Sequence, residues 1–161
     1  MVELVPMHAS FVTCAADPAA IDRLVEPAFA VALRVAPDEA LVVADDAAEV
    51  LREASDLLAP VDPDAVVLDT TDGWAVIALE GDGAADVFAR VSQVRLAPGI
   101  AQGEVGGVPA IVVAEPGRIV LVFSAMWREA VRERILADGA GLGILEPDGP
   151  RRWTPATEAR P

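Results

Sequence analysis

The chain has 161 residues, enough for about one domain with a real core. Charges or turn residues interrupt every apolar run before the roughly 18 residues a bilayer span needs, despite 53% hydrophobic residues and a mean hydropathy of +0.41. A formal net charge of −14 and a pI near 4.2 oppose binding to nucleic-acid phosphates or anionic lipid, leaving proteins and small molecules as expected partners.

Residues 1–29 read as an N-terminal segment with one short helix: Asp17 caps it, Pro18 takes its first position and AAIDRLV follows. The leading run MVELVPMHASFVTCAA carries Glu3 where a secretory leader needs positive charge, and the first arginine is Arg23. With a single cysteine, Cys14, no intrachain disulfide can form, so the expected compartment is cytoplasmic and the thiol is read as buried and inert.

Residues 30–146 read as a single α+β domain in which one grammar recurs: apolar run, turn, apolar run, small polar helix-starting residue, helix. In the first unit, AVALRVAPDEALVVADDAAEVLREASDLL, two strands flank Ala36–Pro37–Asp38–Glu39, and Asp45 or Asp46 caps a helix with Val50, Leu51, Leu57 and Leu58 on its apolar face. In the second, strands Val66–Leu68 and Trp74–Leu79 flank an acidic turn, Asp69 to Gly73, and a helix starts near Asp82. The third, VPAIVVAEPGRIVLVFSAMWREAVRERILADG, turns at Pro116–Gly117, takes Ser124 as N-cap, and places Glu129 early and Arg132 and Arg134 late in its helix. Gly139 stops that helix, Gly141–Leu–Gly143 reads as a turn, and LGILEP forms a last short strand. Laying the first unit on the third superposes Pro37 on Pro116 and Asp45 on Ser124, a weak internal repeat. The expected architecture is a mainly antiparallel sheet with helices packed on it, and the two-sided apolarity of strand runs such as WAVIAL predicts cover on the other face too, which a partner can supply. Residues 147–161, PDGPRRWTPATEARP, read as a Pro-rich tail with Trp153 loose or docked, another chain being one place to dock.

Absences narrow the chemistry. No lysine excludes Schiff bases and a P-loop, and His8 is the one histidine, so a serine triad would have to draw on the N-terminal segment. His8 with Cys14 is a poor metal set. The carboxylate pairs Asp38/Glu39, Asp45/Asp46 and Asp69/Asp72 sit where turns and caps ordinarily use aspartate, and are read as structural. Gly81 and Gly83 fail the dinucleotide spacing, and Asp86 would repel a pyrophosphate. Trp127 shares helical spacing with Val131, Arg134 and Ile135 and reads as core, with a partner hot spot the alternative; Trp74, at the start of a strand, is weighed the same way. No catalytic, cofactor-binding or metal residue is assigned to this chain.

The run PDEALVVAD, the segment VVLDTTDGWAVIALEGDGAADVFARV, then LAPG, PAIVVAE, VLVFSAMWREAVRERIL and GLGI together resemble the gamma subunit of heterotetrameric sarcosine oxidase. More distantly, they resemble the first part of folate-dependent aminomethyltransferases. The resemblance spans roughly residues 30 to 145 and implies an aminomethyltransferase-like fold. Where the aminomethyltransferases carry an Asn-Asp pair this chain has Ser92–Gln93; where they have aspartates before a hairpin strand it has Pro109–Ala110; and a later asparagine is Ser124. The resemblance therefore implies a non-catalytic subunit without a cofactor of its own. In the family the alpha subunit binds NAD and folate and the beta subunit carries the flavins. FAD, FMN, NAD and tetrahydrofolate are thus implied for alpha-like and beta-like partner subunits, which demethylate sarcosine oxidatively. Ala40 stands where the family often has tryptophan, and the chain is short for such a subunit, which leaves a related secondary amine open as substrate. The alternatives are a stand-alone folate-binding protein and a homo-oligomeric α+β protein of unknown ligand.

Overall fold

The computed structural model of the protein describes residues 1–25 and 32–154. Within them the elements run β1 (Val2–His8), β2 (Ser10–Ala15), α1 (Pro18–Val25), β3 (Ala32–Ala36), β4 (Glu39–Ala44), α2 (Ala47–Leu58) and β5 (Val66–Asp69). They continue with β6 (Trp74–Glu80), α3 (Ala84–Val91), β7 (Gly99–Val105), β8 (Val108–Glu115), β9 (Arg118–Ser124), α4 (Arg128–Asp138), β10 (Ile144–Leu145) and β11 (Arg151–Arg152). This is an α+β protein with four helices among the described residues. The start of the first expected strand, residues 30–31, and the tail residues 155–161 lie outside the described residues.

Two compact units divide the chain, one formed by Met1–His8 and Asp72–Pro161, the other by Ala9–Thr71. The boundaries expected at 29/30 and 146/147 do not coincide with this division. Each unit has its own sheet, so the single sheet expected from the sequence is corrected to two. In the unit Ala9–Thr71 the strand order is β3-β4-β2-β5, antiparallel throughout. Helices α1 and α2 pack on one face through Ile21, Leu24, Val50, Ala54 and Leu58, against Val12, Cys14 and Val42. Asp46 is the residue that caps α2, its carboxylate accepting the amides of Ala48 at 2.9 Å and Glu49 at 3.4 Å.

The second expected hairpin is absent: β5 pairs with β2, whereas β6 pairs with β1 and β9 in the other sheet. The reason lies in Thr70 and Thr71. The Thr70 amide donates to the Phe11 carbonyl at 2.9 Å and the Phe11 amide donates to Thr71 Oγ1 at 3.0 Å. These residues extend the pairing of β5 with β2 where a hairpin would have to turn, and a 3-10 turn at Thr71–Gly73 follows.

In the other unit the order is β10-β1-β6-β9-β8-β7, with β11 also on β1. The sheet is mixed, since β10 and β11 run parallel to β1. The N-terminal run, read from sequence without a strand, is thus two strands, one in each sheet. Pro6 disguised the first, yet it is well placed. β10 pairs with Val2 and Glu3 and β11 with Met7 and His8, so the residue lacking an N–H falls in the interval between them. Phe88 and Val87 of α3 and Val131 and Ile135 of α4 pack on Leu4, Ile77, Leu79, Leu121 and Phe123. On the opposite face Val5, Val76, Ala78, Ile111, Val113, Val120 and Val122 are buried too.

The β8–β9 hairpin turns at Pro116–Gly117 as expected, and Gly139 ends α4. Ser124 does not cap that helix: its side chain makes no capping bond, and the 3-10 turn Ala125–Trp127 intervenes. The start of the expected tail is structured. Arg151 bridges Glu80 at 2.9 Å and Glu3 at 3.0 Å, the Trp153 amide donates to the His8 carbonyl at 2.9 Å, and the indole is 1% exposed. Trp153 is docked, and on its own chain. Trp153→Ala should lower the unfolding free energy by about 3–5 kcal/mol in urea titrations followed by circular dichroism. Trp127→Ala, at a side chain 43% exposed, should cost less than about 1 kcal/mol.

Candidate functional site

The acidic pairs separate once placed. Asp38 lies in the β3–β4 turn, its carbonyl accepting the Ala16 amide at 3.0 Å, and Glu39 opens β4. Asp46 serves the cap, with Asp45 exposed beside it. Asp69 accepts from the Thr71 amide at 3.0 Å and from the Thr71 hydroxyl at 2.7 Å, a turn of the aspartate type that holds its carboxyl below the ordinary range. Asp72 is exposed in the 3-10 turn. Cys14 is buried, and desolvation pushes its thiol up to about 11. His8 is exposed at the end of β1. Among the described residues no group of three or more His, Cys, Asp or Glu side chains is placed to hold a metal ion.

The glycines at the start of α3 have packing reasons. Gly81 has φ of +104°, and a Cβ there would lie 2.5 Å from the Met1 carbonyl oxygen; a Cβ on Gly83 would lie 2.8 Å from Val2 Cγ2. An apolar groove of about 410 Å³ opens beside them, between Ala84 and Ala85, the segment Leu96–Pro98, and Pro116 and Ile119 of the β8–β9 hairpin. Asp82 lines it and Asp86 sits in the first turn of α3, so neither the glycines nor the helix start offers a phosphate a favourable field.

The three places where the resemblance puts folate-binding or catalytic residues converge at one end of the seven-stranded sheet. Ser92, at the end of α3, donates to the Glu104 carbonyl at 2.7 Å and accepts the Val94 amide at 3.1 Å. Glu104 pairs with Pro109, Ala110 with Phe123, and Ser124 with Trp74, so the sites lie on neighbouring strands. An open groove of about 680 Å³ runs along Arg90, Ser92, Gln93, Gln102 and Glu104. The Ser92 hydroxyl is committed to the backbone, and Arg90 donates to the carbonyls of Asp138 at 3.0 Å and Ala140 at 3.3 Å, closing the end of α4. Of this lining, Gln93 can offer hydrogen bonds to a small polar molecule, and among the described residues no acid or base there is held against a nucleophile.

At the same end Met126 is 77% and Trp127 43% exposed, while Val131 and Ile135, expected to share the Trp127 face, are buried. The core reading of Trp127 is corrected. Three residues per turn in the 3-10 segment break the helical phase, and the indole is swung off the face that α4 buries. Sequence periodicity could not register this, because nothing in SAMWREAV marks where one helix type replaces the other.

No protein-family model and no curated protein matches the sequence. Among solved structures, a chain of the heterotetrameric sarcosine oxidase from Corynebacterium sp. U-96, in complex with pyrrole 2-carboxylate, matches with a TM-score of 0.69 and 18% identity. The match covers 86% of this chain and 82% of that one. The regulatory subunit of aspartate kinase from Thermus thermophilus, in ligand-free form, matches more weakly, with a TM-score of 0.43 and 17% identity over 82% of this chain and 93% of that one. At the level of the fold, the chain is like a chain of sarcosine oxidase, as the sequence resemblance implied.

Two titrations check the assignments of Asp69 and Cys14. By NMR, Asp69 should titrate below the ordinary value near 3.8, and Thr71→Ala should move it upward. With the folded value lowered, its contribution to stability is present above the ordinary value and fades as pH falls through the lowered one. The Cys14 thiol should resist iodoacetamide at pH 8 in the folded protein and react fully in urea; rapid labelling without denaturant would contradict its burial.

Proposed function

We propose that the protein is a non-catalytic, cytoplasmic subunit of a sarcosine-oxidase-like oxidoreductase, in which partner subunits demethylate sarcosine or a related secondary amine. The observation that carries this reading is the extent of the fold match, at a TM-score of 0.69 over 86% of this chain and 82% of a chain from a heterotetrameric sarcosine oxidase. Two features support it. The positions that would serve folate chemistry in an aminomethyltransferase are Ser92–Gln93, Pro109–Ala110 and Ser124, which lack its aspartates and asparagines. The exposed Met126 and Trp127, beside Trp74 at the same end of the sheet, have the composition of a protein contact. On this reading an alpha-like subunit holds NAD and tetrahydrofolate and a beta-like subunit holds FAD and FMN.

Co-expression with the alpha-like and beta-like subunits encoded nearest to it should yield a stoichiometric heteromer that oxidises a secondary amine, while the chain alone has no such activity. A stable monomer that fails to join that complex, or that releases heat on binding tetrahydrofolate alone in calorimetry, would sink the reading.

A further inference from the structure

We propose that β5, the outer strand of the four-stranded sheet, is where a partner subunit adds a strand, and that the incoming segment is apolar at alternate positions and flanked by arginine or lysine. The inference rests on the heteromeric reading for the identity of the partner. In the order β3-β4-β2-β5 the strand β5 pairs only with β2 among the described residues, so its outer backbone edge has no strand beside it. The other edge of the same sheet is blunted. β3 has a register shift between Arg34 and Ala36, and the Arg34 guanidinium is tied to Asp22 and to the Pro37 carbonyl. β5 carries neither a bulge nor a basic residue, and its sequence is VVLD.

The side chains on this edge point to an apolar partner. Val67 turns toward the helices and packs on the core there, which leaves Val66 and Leu68 on the opposite face, 49% and 54% exposed. Leu33 pairs with Leu41, Leu41 with Thr13 and Thr13 with Leu68, so a single row crosses the sheet. Leu33 and Leu41 are buried in that row, and Leu68 is its uncovered end.

Charge selects the occupant. From Glu53 to Thr71 the chain carries five carboxylates, Glu53, Asp56, Asp62, Asp64 and Asp69, and no arginine, lysine or histidine. A second copy pairing β5 with β5 would bring two such rims together on chains that each carry a net charge of −14, a repulsive arrangement. A strand with basic flanks meets the backbone edge, the apolar pair and the acidic rim together.

The test uses the full chain in the co-expressed heteromer and, separately, two ten-residue peptides with alternating valines, one flanked by arginine and lysine and the other by glutamate. Val66→Thr with Leu68→Thr keeps strand-forming residues at exposed positions, so the circular dichroism and urea midpoint should stay unchanged while heteromer affinity falls at least about tenfold. Asp64→Arg should weaken assembly several-fold and flatten its salt dependence. In NMR the basic peptide should shift the amides of residues 66–69, and the acidic one should not. Normal assembly by the double variant, or a basic peptide that leaves those amides unmoved, overturns the proposal while the heteromeric reading stands. Self-association of the free chain that the double variant abolishes also overturns it, in favour of a second copy. Peptide binding without any heteromer would uphold the strand site and remove the assignment of its partner.

Discussion

The backbone of Phe11 is held by Thr70 and Thr71, and the topology depends on that clasp. With the Thr70 amide on the Phe11 carbonyl and the Phe11 amide on Thr71 Oγ1, β5 stays antiparallel to β2 to its last residue. The hydroxyls of Thr13 and Thr70, 2.8 Å apart, add a cross-strand bond beside it. The segment after Asp69 therefore cannot fold back into a hairpin, and β6 takes its partners from β1 and β9 instead. Two units follow from one local choice, because strands that might have made a single sheet are divided between two.

In the unit containing β6, a similar economy governs β1. Strand β1 takes short parallel partners at its two ends, and Pro6 occupies the stretch between them, where a missing N–H leaves no ladder bond unmade. The second partner brings Trp153 inward. Its amide is fixed by the His8 carbonyl and its indole lies 3.5 Å from Glu115 Oε1, while Glu115 is paired with Arg118. Arg118 also donates to the Thr154 carbonyl at 3.0 Å, so one buried carboxylate and one arginine organise the end of the described chain. A residue in a polar, proline-rich context thereby becomes part of the core.

Legibility divided along lines of sequence distance. The β3–β4 and β8–β9 hairpins, a cap at Asp45 or Asp46, the Gly139 stop and the Pro18 start were readable because each depends on neighbours within about five residues, and the structure chose Asp46 for the cap. β7 was missed, since GIAQGEV has no continuous apolar pattern and is held by register with β8. The Trp127 face was misread because a 3-10 turn has no composition of its own. At the candidate site, the substitutions at Ser92–Gln93, Pro109–Ala110 and Ser124 were visible as residue types, but their convergence on one sheet end needed the pairing of β6 through β9.

By itself, then, the sequence determined part of the local vocabulary: the four helices, the β3–β4 and β8–β9 hairpins, where aspartates serve turns and caps, that Cys14 has no partner for an intrachain disulfide, and that lysine chemistry is unavailable. Only the tertiary structure decided which strands share a sheet, that Trp153 is buried while Trp127 is not, and that β5 ends its sheet with apolar side chains uncovered. The physical reason is that the deciding contacts join residues far apart in the chain, 60 positions for Phe11 and Thr71 and 148 for Glu3 and Arg151. Such contacts are selected by burial and register across the whole unit, and no local pattern encodes them.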